Sequence, residues 1–292
     1  MSTTPSGFED WIGRTRESQD IVTERLVASF RAIFDPYLAP QRGDAVPLGL
    51  HWCLMPEIAA TDELGQDGHP AKNRYLPPVP LPRRMWAGGS VETGSQLCIG
   101  DHVRRISTIS EIVRKDGRSG QLWFVTIYHD YLTARGLAIR ERQDLVYREA
   151  ASSKAVAAAN ALSPELASAL QGHALSECGE VWTLTPAPPL LFRYSAITFN
   201  GHRIHYDLPY ARDIEGYAGL VVHGPLQATL LLNLAAKVAG TERLRMAYRG
   251  LAPAICGSAL RVCAGTGSRL GQLWTEGLAG QTHMSATVTV AN

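Results

Sequence analysis

The sequence predicts an α+β protein made of two halves, each built mainly from antiparallel strands. Segments rich in β-branched and aromatic residues occur on both sides of an alanine-rich stretch near the middle of the chain. One apolar helix is predicted among the strands of the second half. The length of 292 residues also suits two domains of roughly 150 residues each.

The first half carries three strand-like segments, residues 102–114, 121–130 and 137–148. The last of them alternates apolar and polar residues, and the turn-forming sequence KDGRSG joins the first two. Upstream, residues 21–34 have apolar side chains at helical spacing. Residues 35–82 are rich in proline with little periodicity, which is typical of a long functional loop.

An alanine- and serine-rich stretch separates the halves. Ser163 and Pro164 inside it predict a helix start, with serine at the cap and proline in the first turn. We therefore predict an N-terminal half over residues 1–149, a linker over 150–174 and a C-terminal half over 175–292.

The second half contains one strongly apolar helix, predicted over residues 225–238, with Gly224 at its cap, Pro225 in its first turn and Gly240 past its end. The helix is apolar nearly all round, so we expect it to be buried. Strands are predicted around it at residues 190–200, 244–251, 260–264, 272–277 and 283–291. A buried helix embraced by an antiparallel sheet is the plan of a hotdog fold.

Charge and hydropathy exclude several classes of protein. Basic and acidic side chains number 28 and 27, which argues against a nucleic-acid-binding surface. No apolar run reaches the ~18–20 residues of a membrane span. The first twenty residues are polar and unlike a signal peptide. The five cysteines form no C-x-x-C pair, so we expect reduced thiols and a cytoplasmic protein.

The densest group of polar residues is NGHRIHYD at residues 200–207, followed by GLVVHGP at 219–225, where the apolar helix begins. Two histidines and an aspartate so close together could form a metal site, a solvated surface turn or an acid–base site. The histidines lack the i, i+4 spacing of a helical metal pair, and we predict no metal.

The segment around residue 205 resembles the hydratase motif of MaoC-like enzymes, in which an aspartate stands five residues before a histidine. His205 matches the motif histidine, whereas Asn200 falls where the aspartate usually stands. His202 falls on the usual asparagine position. The aspartate of the family's acid–base pair is thus absent from this sequence.

A narrower resemblance covers about residues 20–290. The strings TFNGHRIHYD and VVHGPLQATLLL, with LPRRMWAGG and ERQDLVYR upstream, are similar to the hydroxyacyl-thioester dehydratase type 2 group. That group includes hydratases of mesaconyl-C4-CoA and itaconyl-CoA. The resemblance implies a double hotdog of two tandem repeats, with the active site in the second and a degenerate first repeat helping to form the acyl pocket.

The resemblance also implies roles for individual residues. We expect His205 to take a proton from water and return one to the α-carbon. Asn200 would hold the water or orient the histidine, because an amide is no base at neutral pH. The N–H of Gly224, at a helix N-terminus, would stabilise charge on the thioester oxygen.

Substrate binding in a chain without net charge requires local arginines. Arg83, Arg84 and Arg249 are candidates to bind CoA phosphates or a substrate carboxylate. His202 and His223 are further candidates to contact substrate or to tune His205, against a purely structural role.

These expectations favour a hydro-lyase acting on a small branched dicarboxylic acyl-CoA, converting itaconyl-CoA or mesaconyl-C4-CoA to citramalyl-CoA. The alternatives are a 3-hydroxyacyl-carrier-protein dehydratase, a non-catalytic acyl-CoA-binding hotdog and a thioesterase. No dinucleotide, Walker or nucleophile-elbow motif is present in the sequence, and we expect no cofactor beyond the coenzyme A of the substrate. A homodimer or higher homo-oligomer is expected, with no nucleic-acid or membrane partner.

Overall fold

The computed structural model describes residues 7–72, 74–117, 120–150 and 178–291. Its strands are β1 (Thr15–Ile21), β2 (Arg83–Thr93), β3 (His102–Gly117), β4 (Gly120–Thr133), β5 (Gly136–Arg148), β6 (Cys178–Leu184), β7 (Leu244–Gly250), β8 (Leu260–Gly265), β9 (Gln272–Gly277) and β10 (Thr282–Val290). Its α-helices are α1 (Glu24–Phe34), α2 (Pro188–Thr198) and α3 (Gly224–Ala239).

All of these strands belong to a single antiparallel sheet in the order β1-β3-β4-β5-β2-β7-β10-β9-β8-β6. Strands β1 to β5 form one half of the sheet and β6 to β10 the other. The two halves join where β2 pairs with β7, in a register that sets Gly88 opposite Arg249. The α+β class and the double hotdog are confirmed.

Helix α3 is the buried helix that the sequence predicts. It packs against β7, β8, β9 and β10, and eleven of its sixteen residues are buried. Pro225 lies in its first turn and Gly240 ends it in the left-handed region, as expected. The N-cap is His223 rather than Gly224, so Gly224 is the first helical residue.

The proline-rich loop of the first half is fastened to α3 of the second half. Asn233 is fully buried; its Oδ1 accepts from the Ala39 N–H at 3.1 Å, and its Nδ2 donates to the Leu48 carbonyl at 2.9 Å. A buried amide is stable only when such partners satisfy it. This loop therefore covers the central helix of the other half.

The strand predicted over residues 190–200 is wrong, because this segment forms helix α2. Pro188 and Pro189 supply the helical first turn, and Leu191, Tyr194 and Ser195 face the core at helical spacing. The short apolar run therefore fits both the helical and the strand periodicity, and the local pattern alone does not distinguish a helix from a strand here.

Residues 21–34 are only partly helical. Ile21 ends strand β1, and α1 begins at Glu24 after Thr23, whose hydroxyl accepts from the Leu26 N–H at 3.2 Å. Strands β1, β2 and β6 were not predicted, because their sequences lack the β-branched and aromatic alternation of β4 and β5.

The predicted linker falls almost wholly within residues 151–177, including the helix start at Ser163 and Pro164, which lie outside the described residues. The domain division at 149 and 175 stays a prediction. Among the helices of the described ranges, none is long and apolar enough to cross a membrane.

Candidate active site

A cavity of about 690 Å³ lies between the two halves of the molecule. Side chains of β3, β4 and β5 line one side of the cavity. The loop after α2 and the N-terminus of α3 line the other side. From the first half come Arg105, His129, Tyr131 and Glu141, and from the second come Asn200, His202, His205 and Gly224.

His205 presents one ring nitrogen to this cavity. It ends the short 3-10 turn Arg203–His205 that follows α2. Its Nδ1 donates to the Val221 carbonyl at 2.7 Å, which leaves Nε2 as an acceptor. Burial lowers the pKa of His205 to about 4. At neutral pH the ring is therefore a neutral base with its lone pair on Nε2.

His223 supports His205 from behind and does not line the cavity. The two rings are stacked with centroids 3.6 Å apart. His223 is fully buried, and its Nε2 lies 2.8 Å from the Ser195 hydroxyl. Burial, with the neighbouring histidines, lowers its pKa. His223 therefore contacts His205 and Ser195 rather than the cavity.

Asn200 lines the cavity, but its oxygen is already engaged. The chain leaves α2 through Phe199 in the left-handed region, and Asn200 Oδ1 then accepts from the His202 N–H at 3.0 Å. The Nδ2 hydrogens and one lone pair of Oδ1 remain for a ligand. At this position the side chain can donate a hydrogen bond, and it cannot serve as a base.

His202 connects His205 to a pair of residues that sequence reasoning missed. Its ring centroid lies 5.4 Å from that of His205 and 4.2 Å from that of His69. His69 Nδ1 donates to Asp67 Oδ2 at 2.9 Å, and the His69 N–H donates to Asp67 Oδ1 at 3.0 Å. The sequence DGH within a long loop signals a turn, and that signal could have drawn attention to both side chains.

The electrostatics of the pair follow from burial and charge. Burial, together with the charge of Arg84, lowers the pKa of His69 to about 4, although Asp67 opposes the shift. Burial alone would raise the pKa of Asp67, but its hydrogen bonds and charge interactions with His69 and Arg84 outweigh burial and lower it. A neutral imidazole beside an ionised carboxylate results at neutral pH.

Two glycines lock the loop that carries this pair onto the loop that carries His202. A Cβ on Gly68, whose φ is +84°, would lie 2.0 Å from the Gly201 carbonyl oxygen. The Arg203 N–H also donates to the Asp67 carbonyl at 2.9 Å. Only residues without side chains permit this backbone approach.

The N-terminus of α3 opens toward the cavity at Gly224. No described side chain caps this helix, and Pro225 has no N–H, so the first-turn donors are those of Gly224 and Leu226. Gly224 is required sterically, because a Cβ there would lie 2.5 Å from Trp86 Cε3. Trp86 stacks in turn on Tyr248 with centroids 4.7 Å apart.

The three candidate arginines occupy different environments. Arg83 is buried and pairs with the buried carboxylate of Glu215. Arg84 lines the cavity, and its charge acts on His69 and on the Asp67 carboxylate, but it forms no ion pair within the described part of the chain. Arg249 is exposed on β7 and does not line the cavity.

The first-half side of the cavity contains a buried acid. Glu141 accepts from Trp52 Nε1 at 2.9 Å and from the Tyr131 hydroxyl at 3.1 Å. Burial raises its pKa, although these bonds and Arg105 act in the opposite direction. Sequence reasoning did not single out this group, which lies on a strand with no motif around it.

Two clusters have metal-ligand chemistry, Asp67 with His69 and His202, and Cys178 with Cys263 and Glu276. In the first, Asp67 is engaged by His69. In the second, Glu276 pairs with Arg261 at 2.7 Å. Both carboxylates thus already have partners within the chain.

A neutral histidine and a helix N-terminus face one cavity of a double hotdog, which is the arrangement of a MaoC-like enzyme. The family profile "Hydroxyacyl-thioester dehydratase type 2" matches residues 49–256. The chain belongs to this family and is a hydro-lyase of acyl thioesters.

One relative agrees with this assignment in sequence, and two solved structures agree with the fold. The chain is similar to mesaconyl-C(4)-CoA hydratase of Chloroflexus aurantiacus, with 38% identity over 95% of this chain and 96% of that protein. HtdX of Mycobacterium tuberculosis matches in structure with a TM-score of 0.63 and 16% identity, covering 95% of this chain and 100% of that chain. A conserved M. tuberculosis protein with a double hotdog fold matches with a TM-score of 0.52 and 12% identity, covering 96% of each chain.

Proposed function

We propose that this chain is a cofactor-independent hydratase of a small branched dicarboxylic acyl-CoA, mesaconyl-C4-CoA or itaconyl-CoA, with citramalyl-CoA as product. The observation that carries the proposal is the pairing of a neutral His205, with Nε2 free, and an uncapped helix N-terminus at Gly224 on one cavity. The mesaconyl-C4-CoA hydratase relative supports the choice of acyl group.

In the proposed reaction, His205 Nε2 removes a proton from water as the water oxygen bonds to the β-carbon. In mesaconyl-C4-CoA, whose C=C bond is conjugated with the thioester, the electrons of that bond move toward the thioester and form an enolate. The proton held on His205 then passes to the α-carbon, so that H and OH have been added and the enzyme is unchanged.

The charge of the enolate oxygen would be stabilised by the Gly224 N–H. That donor is fixed in direction by the helix, and the aligned peptide dipoles of α3 favour negative charge at this end. Preorganised donors in a cavity shielded from water lower the barrier more than they would in solution.

Arg84 is the proposed partner of the substrate carboxylate. In a C4-linked mesaconyl group this carboxylate is attached to the carbon that receives the hydroxyl group, so it must lie near His205. Arg84 lines the same cavity as His69 and forms no ion pair among the residues described, although its charge acts on Asp67. Arg83 is committed to Glu215.

The test is a spectrophotometric screen of hydration across crotonyl-, mesaconyl-C4-, itaconyl- and long-chain enoyl-CoA. We expect the dicarboxylic substrates to give the highest kcat/KM. Preference for long-chain enoyl groups would favour a 3-hydroxyacyl-thioester dehydratase instead. Ligand-induced shifts in Tm without turnover of any enoyl-CoA would favour a non-catalytic acyl-CoA-binding protein.

A second test addresses Arg84. Arg84→Gln should raise the KM for mesaconyl-C4-CoA about 10- to 100-fold, since a charge-assisted hydrogen bond is lost. The KM for crotonyl-CoA, which has no carboxylate, should stay the same. Arg249→Gln, on the exposed face, is the matched control, and an equal effect of Arg84→Gln on both substrates would contradict the role.

A further inference from the structure

We propose that the Asp67–His69 pair of the first half completes the active site: His69 accepts the second hydrogen of the attacking water, and Asp67 fixes the tautomer that makes this possible. The inference rests on the proposed hydration reaction and adds a catalytic residue to it. It makes the first half a contributor to catalysis and not only a wall of the acyl pocket.

A water molecule that attacks carbon through its oxygen is best held by two acceptors, one for each of its hydrogens. His205 Nε2 is the first acceptor. Asn200 is a weaker second acceptor, because its Oδ1 already accepts from the His202 N–H and carries no negative charge, and its Nδ2 only donates. The position that usually carries an aspartate therefore lacks the carboxylate that would accept the second hydrogen of the water strongly.

His69 has the chemistry that is missing. Its Nδ1 carries the proton that is donated to Asp67 at 2.9 Å, so its Nε2 holds a lone pair. This Nε2 has no hydrogen-bond partner within the described ranges, and the ring lines the same cavity as His205. The charge of His69 also acts on the pKa of His205, which is consistent with their closeness.

His202 is less suited to the role. Its ring lies between those of His69 and His205, but no described side chain or carbonyl bonds to either of its ring nitrogens and fixes its tautomer. Asp67, by contrast, holds His69 through both carboxylate oxygens. A carboxylate bonded to Nδ1–H sets both the direction and the tautomer of an imidazole.

The pair is held rigidly against the second half, which a water-binding group requires. Gly68 stands between its two members, and the Gly68 backbone packs directly on Gly201. Arg203 reinforces the contact, since its Nη1 donates to the Gln66 carbonyl at 3.0 Å and its N–H to the Asp67 carbonyl. The side chains of Asp67 and His69 are only about one fifth exposed, at 19% and 20%.

Three substitutions of His69 distinguish the proposed acceptor role of Nε2 from the hydrogen bond between Nδ1 and Asp67. In His69→Gln, the amide oxygen can accept where Nε2 lies. In His69→Asn, the amide nitrogen can donate to Asp67 but no acceptor reaches the water. His69→Leu has neither group. We expect kcat to fall less than about 10-fold in His69→Gln and about 100-fold in the other two, with KM little changed.

Asp67→Asn tests the positioning residue. An asparagine amide at this position would donate to Nδ1 and move the proton to Nε2, so kcat should fall about 100-fold or more. Long-range ¹H–¹⁵N spectra read the tautomer without substrate: we expect Nδ1–H in the wild type and Nε2–H in the variant. Asp62→Asn, on the exposed turn of the same loop, is the matched control.

Each contrary result has its own meaning. If His69→Asn, which keeps the bond to Asp67, were fully active and His69→Gln, which keeps the acceptor, were not, the role of His69 would be purely structural. That result would overturn the inference. A wild-type His69 protonated on Nε2, or a stoichiometric metal ion lost in Asp67→Asn, would also overturn it. Equal activity of His69→Leu and wild type overturns the inference and leaves the proposed function standing, whereas a wild type that hydrates no enoyl-CoA contradicts both.

Discussion

The two ring nitrogens of His205 face different surroundings, and this asymmetry defines its chemistry. Nδ1 is tied to a main-chain carbonyl and Nε2 opens to the cavity. Stacking on His223 fixes the plane of the ring. The residue is therefore oriented before substrate binds, which is what a proton-transfer group requires.

Replacing His205 tests its role directly. His205→Ala should lower kcat about 100-fold or more, because general acid–base catalysis is lost. Retention of more than about a tenth of wild-type turnover would remove His205 from the acid–base role. Thermal melting of the variant checks that the fold is intact.

The pH dependence of kcat/KM should reflect the low pKa of this histidine. A base must be unprotonated to act, and burial lowers the pKa of His205 to about 4. The acid limb of the profile should thus lie well below pH 6.5, the ordinary value for imidazole. An acid limb centred near pH 6.5 would contradict this, and assays from pH 4 to 8 measure it.

At the scale of elements, the active site depends on two close backbone contacts. The loop that carries Asp67 docks on the loop after α2 through Gly68 and Gly201. Helix α3 meets Trp86 of β2 at Gly224. In both places a side chain on the glycine would separate the halves at the cavity.

Gly68→Ala should lower kcat about 100-fold, because the added methyl group would move His69 away from His202 and His205. Gly13→Ala is the matched control, since Gly13 has the same φ of +84° but no atom within 4 Å of the position that a Cβ would take. Both variants carry the same backbone strain, so a difference between them isolates the contact with Gly201. Equal kcat values would contradict the docking role.

Gly224→Ala should destabilise the protein by about 1–3 kcal/mol, because the added methyl group overlaps Trp86. Combining it with Trp86→Leu should recover part of that loss. Urea unfolding of the four proteins of this double-mutant cycle measures the coupling. Strict additivity would show that the methyl group and the indole do not meet.

At the scale of the whole molecule, the buried histidines make stability depend on pH. Burial lowers the pKa of six histidines, which are therefore neutral in the folded protein at neutral pH: His51, His69, His129, His202, His205 and His223. In the unfolded chain these groups take up protons near pH 6.5, whereas in the folded protein His51, His69, His129 and His205 resist protonation down to about pH 3–4. Stability is thus fully present above pH 6.5 and is lost as the pH falls from there toward 4.

Urea unfolding at pH 7.5, 6.0 and 5.0 should show this loss, with a slope of about 1.4 kcal/mol per pH unit for each such histidine. The raised pKa values of Glu141 and Glu242 act in the opposite direction, but these are two groups against six histidines. His51→Leu removes one histidine that has no proposed role in catalysis, and it should reduce the slope of stability against pH. A free energy of unfolding that is constant over this range would contradict the prediction.

The sequence by itself determined the features that depend on neighbouring residues along the chain. The buried helix α3, strands β3 to β5 and β7 to β10, and the position of His205 at the end of a polar motif could all be read from local pattern. Helix α2 could not, since its short apolar run fits either period until the core it packs against is known.

Only the tertiary structure decided how the two halves share one site. Asp67 and His69 lie more than a hundred residues before His205 in a loop without periodicity, and the Gly68–Gly201 contact brings them to the cavity. Likewise, the sequence offered three candidate arginines. Packing places Arg83 and Arg84 at the cavity, pairs Arg83 with Glu215 and leaves Arg249 outside. Local patterns predict elements because their causes are local, whereas ionic partners and cavity walls come from residues that meet only when the chain has folded.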